Sequence, residues 1–292
     1  MKVVWVQDFS PLTMGGGAQQ TDREHIREGL RRGHDVSFVT PENANQPIDE
    51  TAFVVLSNPS RFDPKRLSTM KNRYAVFHHD YLHLCRWRLF FPWTEKCAVN
   101  CPQTPLWRPV LEKAKLHVFL SPLHYRVHSD ILGDAIEPHV LVPGTVNPDE
   151  FFDHGRERKG TCNVNGLLSF KGRKPILEYA KENPGETITF AGVNEKPDEP
   201  LPENCKFVGP ISDVGGKMRD FYNQHEWYLE LPDTPQPFNR TIAEAYLSGC
   251  KIKGNELLGA LSWHWFSEGR KAVAEHLRNA PLEFWNAVEA VV

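Results

Sequence analysis

The chain reads as an α/β protein made of two doubly wound domains in tandem. Three observations point there. Short apolar runs alternate with helical stretches through most of the chain, the pattern of repeated βαβ units around a parallel sheet. The length, 292 residues, exceeds one comfortable core and suits two domains of ordinary size. The alternation breaks at Pro143-Gly144, stays polar to about Lys159, and then begins again. These features predict a first Rossmann-like domain over 1–143 and a second over 144–280. A terminal helix at about 281–292 is expected to pack back on the first. In such an architecture the carboxyl ends of both sheets face one cleft, where ligands of open α/β sheets bind.

The elements follow in order. Residues 3–6 form an apolar strand, and Gly15-Gly16-Gly17 follows after a short loop. Residues 19–32 are charged apart from a narrow stripe at Ile26 and Leu30, which predicts a surface helix. Gly33 ends it as a left-handed C-cap would, and 36–39 is the next strand. Residues 53–56, 75–77, 118–120 and 140–142 are short apolar runs bounded by turn residues, as buried parallel strands are. In the second half, 167–168, 188–191, 206–208, 227–229 and 251–253 are expected strands. Residues 174–181 and 241–248 are expected helices, the latter ended by Gly249. Two further helices, 268–278 and 281–291, close the chain.

Composition excludes some classes. Lys plus Arg is 34 and Asp plus Glu is 37, a net charge of -3, so no global field draws the chain to nucleic acid. No apolar run approaches the roughly 20 residues of a spanning helix. Gln7 and Asp8 interrupt the apolar start, so it does not read as a signal peptide. Six cysteines without such a signal are expected as reduced thiols in a cytoplasm.

An irregular insert rich in Trp, Phe, Arg, Cys and Pro lies between Asp80 and Pro109. Cys85, Cys97 and Cys101, with one of His78, His79 and His83, have the composition of a structural Cys3His zinc site. A disulfide and free thiols are the alternatives. The run Arg86-Trp87-Arg88-Leu89-Phe90-Phe91-Pro92-Trp93 mixes cations with aromatics. It suits peripheral contact with a lipid surface or an acceptor pocket, and a packed insert is the plainer reading.

Three features carry possible chemistry. Gly15-Gly16-Gly17 stands before a helix, where backbone can approach an anion closely. It is not the G-x-G-x-x-G of dinucleotide sites. Lys171-Gly172-Arg173-Lys174 places cations at a helix start, which suits a phosphate; a solvated charge run is the alternative. Gln236-Pro237-Phe238-Asn239-Arg240-Thr241-Ile242-Ala243-Glu244 leads into a helix. Its first N–H groups suit a phosphate or sugar hydroxyl, and Glu244 suits a ribose diol.

Together these stretches resemble the family 4 glycosyltransferases of the GT-B fold, over nearly the whole chain. Gly15-Gly16-Gly17 with Leu30-Arg31-Arg32-Gly33-His34-Asp35-Val36 is similar to the family's glycine loop and "rGHeV" opening. The stretch from Val142 through Pro143, Gly144, Thr145, Val146, Asn147, Pro148, Asp149 and Glu150 to Phe151 is similar to its interdomain segment. Gly166-Leu167-Leu168-Ser169-Phe170-Lys171-Gly172 resembles "GRl-KG", and Phe207-Val208-Gly209 resembles "F-G". Gln236 to Gly249, with Glu244-Ala245, resembles the E-x7-E motif.

The resemblance implies a glycosyltransferase of hexosyltransferase type, taking a nucleoside diphosphate sugar as donor. The acceptor, a sugar, lipid or small molecule, is not named by it. Gly16 and Gly17 would approach the diphosphate and the transferred sugar. Lys171 would pair with the diphosphate. Phe238, Asn239, Arg240 and Thr241 would offer backbone N–H groups, Glu244 would hold the ribose, and Gly209 belongs to the donor-side turns. His78 or His79 would stand beside the sugar. Two positions depart from the family: Leu167 replaces an Arg, for which Arg173 or Lys174 is a candidate substitute, and Gln236 replaces the first Glu of E-x7-E. They motivate an alternative, a nucleotide-binding protein of the same fold without catalysis. No Asp-x-Asp occurs, so transfer without a metal or other cofactor is expected, with retention of anomeric configuration.

Overall fold

The structure is a computed structural model. It describes every residue except Pro11, residues 13–15, Arg86, Trp87, residues 89–101 and Asp213. The chain divides into two compact units, Met1–Thr145 with Asn279–Val292, and Val146–Arg278.

The first unit runs β1 (Lys2–Val6), α1 (Gly17–Arg31), β2 (Asp35–Val39), β3 (Phe53–Ser57), α2 (Pro64–Ser68), β4 (Tyr74–His78), α3 (Gln103–Leu111), β5 (Leu116–Phe119), α4 (Pro122–Leu132) and β6 (His139–Leu141). Its strands pair in parallel in the order β2-β1-β3-β4-β5-β6. Strand side chains alternate between the two faces. Val4, Val6, Val54, Leu56 and Val76 therefore share one core with Leu123 and Val127 of α4. Trp5 and Phe77 point the other way and meet Phe284 of the terminal helix, with ring centroids 5.6 and 5.4 Å apart. All five residues of β3 and of β4 are buried, as strands covered on both faces must be.

The second unit runs β7 (Thr161–Asn163), α5 (Arg173–Glu182), β8 (Ile188–Phe190), β9 (Cys205–Phe207), α6 (Lys217–Tyr222), β10 (Trp227–Leu229), α7 (Arg240–Leu247) and β11 (Lys251–Lys253). Its strands are again parallel, in the order β11-β10-β7-β8-β9. The chain winds outward from β7 to β9, then returns to the other side of β7 for β10 and β11. Both units are Rossmann-like and doubly wound, as the sequence predicts.

Three local expectations need correction. The strand opening the second series is Thr161–Asn163; Leu167 makes only a single bridge, to Asn194. The polar residues of Thr-Cys-Asn hide that strand from a search for apolar runs. The two closing helices are one, α8 (Arg270–Glu289), which passes through Pro281. Packing outweighs the missing N–H: Phe284, Trp285 and Val288 are fully buried, and the Trp285 indole donates to the His25 carbonyl at 2.6 Å. Finally, Leu30, expected on the apolar stripe of α1, is exposed, and α2, α3, α4 and α6 are not picked out by the sequence reading. Among the described residues no helix is long and apolar enough to cross a membrane.

Where α1 meets α8, Gly29 has no room for a side chain: a Cβ there would lie 2.3 Å from the Trp285 ring. Beside it, His25 is fully buried, stacked on Phe284 at 4.5 Å, and neither ring nitrogen has a hydrogen-bond partner. Burial, helped by His79, lowers its pKa from 6.5 to about 3. The depressed folded-state pKa fixes the sign. Stability is complete above about pH 6.5 and falls as pH drops toward 3, because the unfolded chain takes up the proton first. His25→Phe is expected to raise the denaturant midpoint at neutral pH. It should also lower proton uptake on unfolding near pH 5 by about one proton. Urea titrations across pH check this, and an unchanged pH slope would contradict it.

Candidate functional site

In a doubly wound sheet the strand order reverses at one point, and loops leaving the two strands there diverge to leave a crevice. In the second unit that point lies between β7 and β10. Asn163, the last residue of β7, donates from Nδ2 to the Leu229 carbonyl at the end of β10, at 2.8 Å. Just beyond, Glu230 is fully buried. Its carboxylate accepts from Asn165 Nδ2 and Asn239 Nδ2, both at 2.5 Å, and from the Tyr228 hydroxyl at 2.8 Å, with Thr241 Oγ1 3.3 Å away. Burial raises its pKa, while the nearby Lys171 charge and these donors pull the other way.

Lys171 arrives at the same point because Gly172 turns the chain with φ +82°. A Cβ on Gly172 would stand 2.1 Å from the Leu231 carbonyl oxygen, so only glycine lets this turn lie against the end of β10. Lys171 Nζ then donates to Gln236 Oε1 at 3.0 Å. Gln236 is held in turn. Its N–H donates to the Leu257 carbonyl at 2.7 Å, and its carbonyl accepts from Gly259 at 3.0 Å. Ala260 N–H donates to the Phe238 carbonyl at 2.7 Å. Gly259 packs so closely that a Cβ would meet the Pro237 oxygen at 2.2 Å.

Asn239 caps α7 in the left-handed region, φ +68°, which is costly for a residue with a side chain. Its two side-chain bonds, to Glu230 and from Thr241 Oγ1 at 2.6 Å, hold it there. The leading N–H groups of α7 lack intrahelical acceptors and carry the positive end of the helix dipole. The Phe238 side chain is buried, which leaves only its main chain available to a ligand. One turn on, Glu244 is 8% exposed and lies 3.3 Å from both the Tyr222 hydroxyl and the Arg240 guanidinium.

The second unit thus carries Lys171 with Gln236, Arg240 with Glu244, and Asn239 and Thr241 beside Glu230, a carboxylate that sequence reading missed. The signal was present: Glu230 ends the run Trp227-Tyr228-Leu229 with a charge, and Asn165 stands two residues after β7. Other residues go elsewhere. Arg173 is 5% exposed and bonds Asn194 at 2.8 Å, the Leu167 carbonyl at 3.3 Å and Glu199 at 2.9 Å. Leu167 is a core residue with Ile176, Ile188 and Phe190. Gly209 forms a turn after β9, with φ +77°, and its carbonyl accepts from Gly192 at 2.9 Å. A cavity of about 500 Å³, lined by Thr161, Thr187, Trp227 and Lys253, begins at the amino ends of β7, β8 and β10, away from this chemistry.

In the first unit Gly16 precedes α1 in extended geometry and Gly17 opens the helix; Gly15 lies outside the described residues. His78 and His79 are adjacent at the end of β4, so strand alternation sends them to opposite faces. His79 Nε2 lies 2.8 Å from Asp22 of α1 and 3.0 Å from Ser57 Oγ, and Ser57 donates to Asp22 at 2.6 Å. His78 enters a buried group with His83, His117, His124 and His128. Burial lowers the pKa of all five rings, to about 4 at His117 and about 3 at His128. Cys85 is a buried free thiol. Cys97, Cys101 and the aromatic run 86–93, apart from Arg88, lie outside the described residues.

No protein-family model matches the chain, and no curated protein matches it. Solved structures do. Sucrose-phosphate synthase from Thermosynechococcus elongatus aligns at TM-score 0.74 and 11% identity, covering 99% of this chain and 98% of that one. HepE of Anabaena, in complex with UDP-glucose, aligns at 0.67 and 13%, covering 99% and 100%. AviGT4, a glycosyltransferase involved in avilamycin A biosynthesis, aligns at 0.54 and 13%, covering 97% and 92%. At such identity the likeness establishes the fold: this chain has the GT-B architecture of these glycosyltransferases.

Glu230→Ala is expected to leave the Asn165 and Asn239 amides without their shared acceptor. Hydrogen bonds to a charged acceptor contribute about 1.5–3 kcal/mol. A fall in the denaturant midpoint of that order checks the assignment; an unchanged midpoint would contradict it.

Proposed function

We propose that the chain is a glycosyltransferase of the family 4 type. It moves a sugar from a nucleoside diphosphate donor, held by the second unit, to an acceptor hydroxyl. The observation that carries this reading is the meeting of Lys171 with Gln236, 3.0 Å apart, beside the amino end of α7 and Glu244. As the bond from the anomeric carbon to the phosphate breaks, negative charge builds on the departing diphosphate. Lys171 and the helix start are placed to stabilise it. The acceptor oxygen attacks from the side on which the diphosphate leaves, and the departing phosphate oxygen takes its proton. Configuration is retained without a protein nucleophile or a catalytic metal. Glu244 accepts from the ribose diol. Gly16, Gly17 and His79 keep the sugar-side roles that the family resemblance gives them. His79, bonded to Asp22 and Ser57, is preferred over His78, whose face is occupied by other histidines.

HepE is solved with UDP-glucose, so uridine donors are the first to test. A second reading, nucleotide binding without turnover, draws on Leu167, which is fully buried where family members carry a cation.

Calorimetric titration with UDP and UDP-glucose tests the donor site. Glu244→Ala should weaken binding roughly ten- to a hundredfold, the loss of charge-assisted hydrogen bonds worth about 1.5–3 kcal/mol. Binding should survive EDTA. Unchanged affinity in a folded variant would remove Glu244 from the site. Binding with no transfer to any acceptor and no release of free sugar would favour the second reading.

A further inference from the structure

We propose that His78, His83 and His128 form a buried three-histidine site for a divalent transition metal ion, zinc foremost, on the first unit. The ion would tie the end of β4 and the segment after it to α4. One ligand nitrogen from each of the three rings lies within 4.8 Å of the others, and all three side chains are buried. Tetrahedral zinc with Zn–N bonds of about 2.0–2.1 Å needs ligand nitrogens about 3.3 Å apart. His78 Nδ1 and His83 Nδ1 already stand at 3.0 Å. The third nitrogen lies within 4.8 Å, so closure requires its ring to move by up to about 1.5 Å.

The surrounding hydrogen bonds fix which nitrogens are available. A ring nitrogen facing a carbonyl oxygen must carry the hydrogen. His117 Nε2 faces the Leu111 carbonyl at 3.1 Å, so its Nδ1 is an acceptor. That acceptor lies 3.0 Å from His78 Nε2, which must therefore carry hydrogen and leave a lone pair on Nδ1. His128 Nδ1 faces the His124 carbonyl at 2.9 Å, leaving its lone pair on Nε2, an atom with no partner. His83 ligates through the Nδ1 that faces His78, so its hydrogen sits on Nε2, which is buried and has no hydrogen-bond partner. At His78 and His128 an outer acceptor holds the opposite nitrogen, as is typical of metal-bound histidines. His124 is different. Its Nδ1 accepts from Leu120 N–H and its Nε2 lies 3.3 Å from the Asp80 carbonyl, so both nitrogens are engaged and it supports the group as packing.

Chemistry then selects the ion. Three neutral imidazoles with no carboxylate among them suit zinc, cobalt, nickel or copper, and reject magnesium and calcium, which demand oxygen ligands. The site is buried on the face of β4 opposite His79. Its role is to hold structure, and the inference stands whether or not the glycosyltransferase reading does.

The test uses the full chain, stripped with a chelator, checked for folding by circular dichroism, and titrated with Co2+ and then Zn2+. One equivalent of Co2+ should bind and give the intense visible bands of a four- or five-coordinate ion, without the near-ultraviolet thiolate charge-transfer band. Zn2+ should displace it and raise the thermal midpoint; Mg2+ should do neither. His128→Gln should weaken Zn2+ binding at least a hundredfold, while His124→Gln weakens it far less. Absence of Co2+ bands in the folded wild-type chain would overturn the proposal, even if the variants do not fold. So would a thiolate band, which would move the ion to cysteines, or binding undiminished in a folded His128→Gln.

Discussion

A carboxylate without solvent must be surrounded by donors or lose its charge, and Glu230 meets that demand by drawing three parts of the second unit together. Asn165 comes from the loop after β7, Tyr228 from β10, and Asn239 with Thr241 from the start of α7. The loop after β7 and the amino end of α7 are thereby fixed against each other. The same bonds hold Asn239 in its left-handed conformation, which sets the direction in which α7 begins.

Topology decides where this happens. The reversal of strand order between β7 and β10 leaves room above those two strands, and Gly172 lets Lys171 turn into it. The segment through Gly259 pins Gln236 from the other side. The result is a cation, an amide and a helix start side by side, the elements an anionic leaving group requires. In the first unit the two histidines at the end of β4 show the same logic in smaller form. One residue of offset on a strand sends His79 to Asp22 and Ser57, and His78 into a cluster of its own kind.

Much of the architecture was legible in the sequence because parallel strands buried on both faces must be apolar throughout, as β3 and β4 are. Where a strand is short and polar, as at Thr161–Asn163, that signal is absent and the neighbouring Leu167-Leu168 draws the assignment instead. Pro281 reads as a helix boundary because the missing N–H is a local fact, whereas the packing of Phe284 and Trp285 that overrides it is not. The site was legible to the extent that its residues are close in sequence. The stretch from Gln236 to Glu244 is one segment, and Lys171 stands just before Gly172 in a short basic run. Glu230, Asp22 and Ser57 take their meaning from partners far along the chain, and Arg173 is committed to Asn194 and Glu199, partners that local sequence does not reveal.

The most direct measurement of the central claim is a crystal structure of the chain grown with a nucleoside diphosphate that stabilises it in solution. The account expects the diphosphate beside Lys171 at the amino end of α7, with the ribose on Glu244. A nucleotide seated instead in the cavity beside Trp227 and Lys253, or a diphosphate that leaves the Lys171–Gln236 bond unvisited, would contradict it.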